Sequence, residues 1–512
     1  MHGPIPGSGW SEHIMPTLVF EGKSIPVLPQ ETVASALRRG GVPVALACGG
    51  KNRCGRCTIK LISGTFSSGG RVFEVSPAHP AEERACTLYL LSGSGSAAFP
   101  AEPQTAFDEG LPVLPGLERI RPVFTGTAAA LDLGTTNVAA VLIENGRIVR
   151  FAEKLNAQIR CGDNVIDRIA FAARREGTAE LRRALLEETV MPLLRRLTDS
   201  PEKIEAVSAA GNTVMTHFFF DADPSSMGRA PFTPEEMHFS ATAQACGLAG
   251  LRPETPVSGA ELVCGFIGGD ISAGMTVSGF GAENARELYM DIGTNCEMVL
   301  NDRGRYTALS AAAGPAFERT NLRAGQAGCV RHIRYADRKW FLTPETDTPS
   351  GLCGTALADL LAESRRNDLI DDFGRWVRSP GLPETLLPDN ARMAELVTAK
   401  AAVESGLVLL ARHAGLAWKD VEKVYLAGSF AEHLDIANGI AAGLLPCLPK
   451  DRFVKLGNAS LAGAAAMLLD PMIRAKTETW RHVVRHLSPA EDPAYPRIFA
   501  SAMRIGKGEK QP

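Results

Sequence analysis

A strong charge imbalance is missing from this sequence: 54 Lys+Arg stand against 57 Asp+Glu in 512 residues, a formal net charge of −3. Without a basic excess, nucleic acid is not expected as the main partner. Long apolar runs are missing too. No stretch of 18 or more apolar residues occurs, so no membrane-spanning segment is expected. Two common nucleotide signatures are absent. There is no G-x-x-x-x-G-K-[ST] loop, since Gly22-Lys23-Ser24 lacks the upstream glycine, and there is no G-x-G-x-x-G. The start MHGPIPGSGWSEHIM contains no apolar core of a secretory signal, and the 11 cysteines are odd in number. Both features argue against a disulfide framework and predict a reducing, cytoplasmic setting. Clustered cysteines there read as metal-binding or catalytic.

What is present divides the chain. At about 100–200 residues per domain the length suggests roughly three domains. The pattern itself predicts a disordered lead-in over 1–15, a compact unit over 16–92, a linker over 93–126, a large α/β region over 127–483 and a polar, poorly ordered tail over 484–512. In the first unit, TLVF and SIPV flank Glu21-Gly22-Lys23 as a hairpin. Val33, Ala36 and Leu37 share one face of a short helix over 31–39, closed by Gly40-Gly41. Residues 57–62 and 86–90 read as strands. The linker lacks either period and is rich in Gly, Pro and Ser, as a tether would be.

Cys48, Cys54 and Cys57 are spaced C-x5-C-x2-C, and 28 residues separate Cys57 from Cys86. Gly49, Gly50 and Gly55 lie between the three. A loop wrapping an iron–sulfur cluster must turn tightly and aim backbone N–H groups at the sulfurs, and glycine permits both. Structural zinc and buried thiols are the alternatives, although zinc favours paired knuckles and Cys86 has no such partner. The other seven cysteines (161, 246, 264, 296, 329, 353 and 447) are scattered and expected to be small buried hydrophobes.

The α/β region contains an echo. AAALDLGTTNVAAVLIENGRIVRF (128–151) and ELYMDIGTNCEMVLNDRGRYTAL (287–309) both read strand, Asp-x-Gly-Thr turn, strand, hairpin, strand. Asp132 and Asp291 are 159 residues apart, too far for a solenoid and suited to two facing subdomains. In such a turn glycine lets the backbone approach phosphate oxygens, Thr hydroxyls and N–H groups donate to them, and the Asp faces a hydrated Mg²⁺. Gly134, Thr135 and Thr136 belong to the first turn, and Gly293, Thr294 and Asn295 to the second. Downstream, VEKVYLAGSFAEHLD is a strand ending at Gly428-Ser429 before a helix, and GNASLAGAAAML is a similar turn into a helix. Tight turns without a nucleotide are the plainer reading.

These segments resemble known families. Residues 17–91 resemble a β-grasp ferredoxin of the C-x5-C-x2-C…C type, which implies a [2Fe–2S] cluster on Cys48, Cys54, Cys57 and Cys86. The large region resembles the ASKHA superfamily of acetate kinase, sugar kinases, actin and heat-shock chaperones, a duplicated ribonuclease-H-like α/β fold. Asp132–Thr136 and Asp291–Asn295 match its phosphate motifs and Gly428–Ser429 its adenosine motif. With AAGNTVMTH, GGDISAGM, SAAAGPAFE, GLCGTALADL and AGLLP in order, residues 17–470 resemble the ATP-dependent reductive activators of corrinoid proteins.

That resemblance implies ATP- and Mg²⁺-dependent delivery of one electron to a cob(II)alamin-type cofactor in a corrinoid partner. It also implies an upstream electron donor and a homodimer. Asp270 in the GGD turn is placed like a water-activating carboxylate or a helix N-cap. Asn212, Thr213 and His217 are candidates for the cleft.

Three departures stand out. A small domain found in familiar members between linker and ASKHA region is expected to be missing. Cys296 replaces the usual glycine, and AGSFAEHL lacks the second glycine of the adenosine turn. An electron carrier on a non-hydrolysing scaffold, or an activator of another low-potential metalloenzyme, are the alternative functions. Cys54→Ser is expected to abolish the visible iron–sulfur absorption of the purified protein. An unchanged spectrum would exclude this ligand set.

Overall fold

The computed structural model describes residues 15–42, 44, 57–99, 111–162, 164–317, 328–346 and 348–506. Most of the expected lead-in, Cys48, Cys54 and residues 100–110 of the linker lie outside the described residues. The chain forms two compact units, divided near residue 105.

The first unit is a mixed sheet with one helix. β1 (Thr17–Phe20) turns through Glu21 and Gly22, both at positive φ, into β2 (Lys23–Pro26). This is the two-residue hairpin whose twist matches paired strands. α1 (Val33–Arg39) starts at Thr32, whose hydroxyl accepts the Ser35 N–H, and buries Val33, Ala34, Ala36 and Leu37. β3 (Thr58–Ser68), β4 (Arg71–Val75), β5 (Ala81–Arg84) and β6 (Leu88–Ala98) complete the order β2-β1-β6-β3-β4, with β5 also on β3. Leu18, Phe20, Ile59, Leu61 and Phe66 fill the core under α1.

The unit therefore runs past the expected boundary at 92. The segment Ser94–Ala97 pairs in parallel with all of β1. Its small residues read as linker, but tertiary packing requires them: a Cβ at Gly95 would come within 2.9 Å of Leu90 and 3.0 Å of Phe66. The far end of the expected linker also belongs to a packed body. Leu114 is buried, Leu117, Ile120 and Phe124 join the same apolar cluster, and Val123 N–H donates to Leu469 O at 2.8 Å.

The second unit holds two six-stranded sheets built alike. The first combines β7 (Thr127–Leu133), β8 (Asn137–Glu144), β9 (Arg147–Leu155), β10 (Ala206–Gly211), β11 (Ser240–Thr242) and β12 (Pro256–Gly259) in the order β11-β12-β10-β7-β8-β9. Between β9 and β10 run α2 (Val165–Ala172), α3 (Gly177–Leu185) and α4 (Met191–Leu197), the last two joined by a π turn. α5 (Thr213–Phe220), α6 (Ala243–Cys246) and α7 (Gly269–Ser278) follow.

The second sheet begins with β13 (Arg286–Ile292), β14 (Cys296–Asp302) and β15 (Arg305–Ala311), the counterparts of β7, β8 and β9. Two small pairs intervene. β16 (Cys329–Val330) lies beside β19 (Gly351–Leu352), and β17 (His332–Ala336) beside β18 (Lys339–Thr343). β20 (Lys423–Ala427), β21 (Phe453–Gly457) and β22 (Val484–His486) complete the order β21-β20-β13-β14-β15-β22. The helices of this half are α8 (Gly354–Arg366), α9 (Asn390–Ala414), α10 (Ser429–His433), α11 (Ile436–Ala441), α12 (Ala459–Leu469), α13 (Pro471–Val483) and α14 (Tyr495–Ala502).

In each half the first three strands are antiparallel, and the two strands on the other side of the first, β10 and β12 or β20 and β21, run parallel to it. Asp132 and Asp291 thus lie toward the carboxyl ends of parallel neighbours, opposite Ala210 and Ala427 respectively. Crevices outside such strand ends are where open α/β sheets take ligands. α12 follows the second sheet yet packs on the first, and α7 follows the first yet touches the second. Their close approach needs small residues, since a Cβ at Gly463 would fall 2.5 Å from Ala273.

The expected tail is a structured part of this unit as far as Gly506. β22 pairs with β15, and α14 packs along α9. The fully buried Lys400 donates to Ala502 O at 2.7 Å and Arg504 O at 2.6 Å and pairs with Glu404. Polar composition suggested a loose end because the apolar residues that anchor it, such as Ile505, are few. Lys400→Ala removes the cation from that buried pair and is expected to cost about 3–5 kcal/mol. Hydrogen exchange of residues 495–505 should rise sharply, and unchanged protection would refute the clamp.

Candidate functional site

The ferredoxin-like unit brings two of its four predicted ligands together. Cys57 immediately precedes β3 and Cys86 sits in the short 3₁₀ turn before β6. They are 2 % and 8 % exposed. The Ala85 N–H donates to Cys57 O at 2.9 Å, so the two cysteines are fixed at neighbouring strand ends. Two thiols set against the same core are a donor set that fits an iron–sulfur cluster.

In the second unit the first turn is held from behind. Asn156 Nδ2 donates to Gly134 O at 3.0 Å, Asn156 N–H to Thr136 O at 2.9 Å, and Arg168 Nη2 to Thr135 O at 2.5 Å. All three turn carbonyls are thereby tied to the protein. Gly134 is obligatory, because a Cβ there would lie 2.2 Å from Asn137 O. Arg168 and Gln158 are fully buried and bonded to each other at 3.0 Å. No local pattern signals this brace, since an arginine on an amphipathic helix ordinarily faces water. The second turn closes through Gly293 N–H to Asn295 O at 2.9 Å.

A second echo appears only in three dimensions. Gly269-Asp270-Ile271-Ser272 opens α7, and Gly457-Asn458-Ala459-Ser460 opens α12. Asn458 Nδ2 donates to Asp132 Oδ2 at 2.8 Å and Ser460 Oγ to Asp132 Oδ1 at 2.7 Å. Asn458 is the N-cap of α12, whereas Asp270 stands two residues past the cap of α7, where the Asp291 charge acts on it. Loss of hydration and then the Asp291 charge push Asp270 up to about 8. Glu297, opposite Asp291 across the strand pair, is held well above the carboxylate range by burial and then by Asp270 and Asp291. Asp132 is raised by burial, with Ser460 and Asn458 opposing. Asp132, Asp270 and Asp291 remain half-buried. Hard carboxylate oxygens that repel one another at partly exposed strand ends suit a hydrated divalent cation such as Mg²⁺.

Gly428 lies against this group. Its φ is +90°, and a Cβ would sit 2.8 Å from Asp291 Oδ1. Ser429 follows, exposed, as the first residue of α10. Several expectations change. Asp270 is not an N-cap: Gly268 occupies that position, and Asp270 Oδ1 accepts the Ile271 N–H at 2.9 Å within the first turn. Asn212 caps α5 by accepting the Val214 N–H. His217 is fully buried, bonded to Thr213 O at 2.8 Å and packed on Phe239, so it is a core residue. Cys296 is also core, beside Met298 and Ala311, and strand alternation turns it away from the face carrying Glu297. Cys447 is exposed rather than buried.

Comparison with known proteins agrees with this arrangement. A family described as a 2Fe-2S iron-sulfur cluster binding domain matches residues 19–91. The RACo middle region matches 127–283, and the C-terminal domain of RACo, the ASKHA domain, matches 285–389 and 384–512. The segment carrying the first phosphate-type turn is thus the part that those families term the middle region.

The chain is 26 % identical over 440 residues to the corrinoid activation enzyme RamQ of Eubacterium limosum, covering 77 % of this chain and 72 % of that one. It is 24 % identical to the [Co(II) methylated amine-specific corrinoid protein] reductase of Methanosarcina barkeri, covering 67 % and 69 %. A solved reductive activator for corrinoid, iron-sulfur protein superposes with a TM-score of 0.68 at 23 % identity, over 96 % of this chain and 98 % of that structure, which establishes the shared fold.

Asp270→Asn removes one of the two mutually unfavourable carboxyl groups. It is expected to raise the melting temperature of metal- and nucleotide-free protein, by about 2–4 °C for each kcal/mol of repulsion relieved. A lowered melting temperature would contradict the repulsion.

Proposed function

Since the chain belongs to the family that joins a [2Fe–2S] ferredoxin domain to the RACo middle and ASKHA regions, we propose that it is an ATP-dependent reductive activator of a corrinoid protein. Its substrate is the inactive Co(II) form of a methyltransferase-associated corrinoid, which it returns to the Co(I) form. Cys48, Cys54, Cys57 and Cys86 would hold a [2Fe–2S] cluster, which would supply the single electron. The observation that carries the reading is the union in one chain of a paired-cysteine ferredoxin unit with a crevice bounded by two matched Asp-x-Gly-Thr turns.

In that crevice Gly134, Thr135 and Thr136 and their counterparts Gly293, Thr294 and Asn295 receive the phosphates of ATP. Gly428 and Ser429 line the adenosine side. Asp132 and Asp291 orient a hydrated Mg²⁺, and Asp270 positions the attacking water. Asn458 and Ser460 aim Asp132 and oppose the rise that burial imposes on it by donating to both of its oxygens.

The energetic need is definite. A single electron moved uphill by ~100–200 mV costs roughly 2–5 kcal/mol. Differential affinity of ATP for two arrangements of the protein can supply that amount. The protein acts as a homodimer in the cytoplasm and takes electrons from a separate reduced donor. Among the described residues no helix is long and apolar enough to cross a membrane.

Asp132→Ala and Asp291→Ala are expected to reduce corrinoid-stimulated ATP hydrolysis and Co(I) formation at least 100-fold, the loss of a group acting on developing phosphate charge. The iron–sulfur spectrum should be unaltered. ATP turnover at the parental rate in either variant defeats the phosphate assignment. Nucleotide binding without turnover in the parent, even with a cob(II) corrinoid protein present, would instead establish a non-hydrolysing scaffold.

A further inference from the structure

Two cysteines outside the ferredoxin unit meet in the second one. β16 and β19 pair in parallel, with Cys329 opposite Gly351 and Val330 opposite Leu352. The Cys353 N–H donates to Val330 O at 2.9 Å, so Cys353 lies two residues beyond the partner of Cys329 on the same face of the strand pair, and both thiols are buried. Cys353 is also the N-cap residue of the 13-residue helix α8. Its sulfur lies 3.4 Å from Thr355 Oγ1 and faces the backbone N–H groups of Thr355 and Ala356.

The Cys329 contact, the Thr355 hydroxyl and these N–H groups hold the Cys353 thiol well below its ordinary value, against the effect of burial. Cys329 is pushed up by the same contact. The thiols of Cys246 and Cys264 behave differently: burial pushes both up to about 11. A thiol whose ionised form is favoured, set beside a second thiol on one face of a strand pair, is the arrangement from which disulfides form.

The pair also abuts the crevice. Gly354, the next residue, has no room for a Cβ, which would meet Phe317 O at 2.1 Å and Phe430 Cδ2 at 3.1 Å. The Phe317 and Phe430 rings stand 5.6 Å apart. Phe430 follows Gly428-Ser429, and Gly428 backs onto Asp291. A shift of the first turn of α8 therefore reaches the turn assigned to adenosine.

We propose that Cys329 and Cys353 form a redox-active dithiol whose closure to a disulfide weakens nucleotide binding at the Gly428–Phe430 turn; the coupling, though not the dithiol, rests on the nucleotide reading above. The oxidant is a hydroperoxide. The Cys353 thiolate attacks one peroxide oxygen, breaking the O–O bond and giving a sulfenic acid and hydroxide. The Cys329 sulfur then displaces the sulfenic hydroxyl. The S–S bond forms, two thiol protons and two electrons pass to the peroxide, and with hydrogen peroxide two waters leave.

The experiment treats the holoprotein anaerobically with hydrogen peroxide, blocks remaining thiols and maps peptides without reduction. ATP affinity is measured by calorimetry on the same samples, before and after dithiothreitol. The expected result is a Cys329–Cys353 linked peptide with about tenfold weaker ATP binding, both reversed by the thiol. Cys329→Ser, treated identically, should show neither change, which separates this effect from any damage to the cluster.

Absence of the linked peptide in the oxidised parent overturns the dithiol. A linked protein that binds ATP as tightly as the reduced one overturns the coupling. If the reduced parent binds no ATP, the nucleotide reading fails and the coupling with it, while the peptide map still decides the dithiol. Should Cys329→Ser fail to fold, reversal by dithiothreitol in the parent decides the same points.

Discussion

Like charges brought together in a crevice organise the second unit. One member of the duplicated site is satisfied within the protein: Asp132 receives both an amide and a hydroxyl from the start of α12. Its counterpart sets Asp270 toward Asp291, and two carboxyl groups so placed cannot both stay ionised without cost. Burial sharpens the difference, since repulsion that water would screen is felt more strongly in the partly dehydrated crevice. Such an arrangement is costly for the ligand-free fold and is relieved by a cation. Stability is given up where function needs charge, as is usual for sites.

Everything that surrounds this pair serves to hold it. The exchange of helices between sheets places the first turns of α7 and α12 at the strand ends carrying Asp132 and Asp291. Small residues at 273, 274, 459 and 463 let the helices approach; a Cβ at Gly274 would strike the Tyr289 hydroxyl at 2.1 Å. A larger residue at such a point would separate the helices and move the carboxylates with them. The same closeness runs outward from Gly428 through Phe430 to the start of α8. The neighbourhood of the Cys329–Cys353 pair is thus mechanically continuous with the crevice.

Much of this was legible in the chain itself. Three of the five two-residue hairpins among the described residues fall where the sequence pattern placed a turn, at Glu21-Gly22, Asn145-Gly146 and Arg303-Gly304, all with positive φ at both positions; Gly69-Gly70 and Asp337-Arg338 make the other two. The spacing of 159 residues between Asp132 and Asp291 holds for both ends of their strands, Thr127 with Arg286 and Leu133 with Ile292. Local signals were also enough for the Thr32 cap and the apolar face of α1. They failed where long-range packing overrode composition. Ser94–Ala97 is strand because β1 and β3 lie on either side of it, and residues 484–505 are ordered because Lys400 and α9 hold them.

The sequence by itself determined the duplicated frame, the candidate phosphate turns and the cysteine spacing, because each depends on residues near one another in the chain. Only the tertiary structure decided that Asn458 and Ser460 hold Asp132, that Asp270 and Glu297 share the space around Asp291, that Arg168 braces the first turn and that Cys329 meets Cys353. Asn458 and Ser460 lie 326 and 328 residues from Asp132. No local pattern encodes such a pairing; it follows from the register of two sheets and the helices exchanged between them.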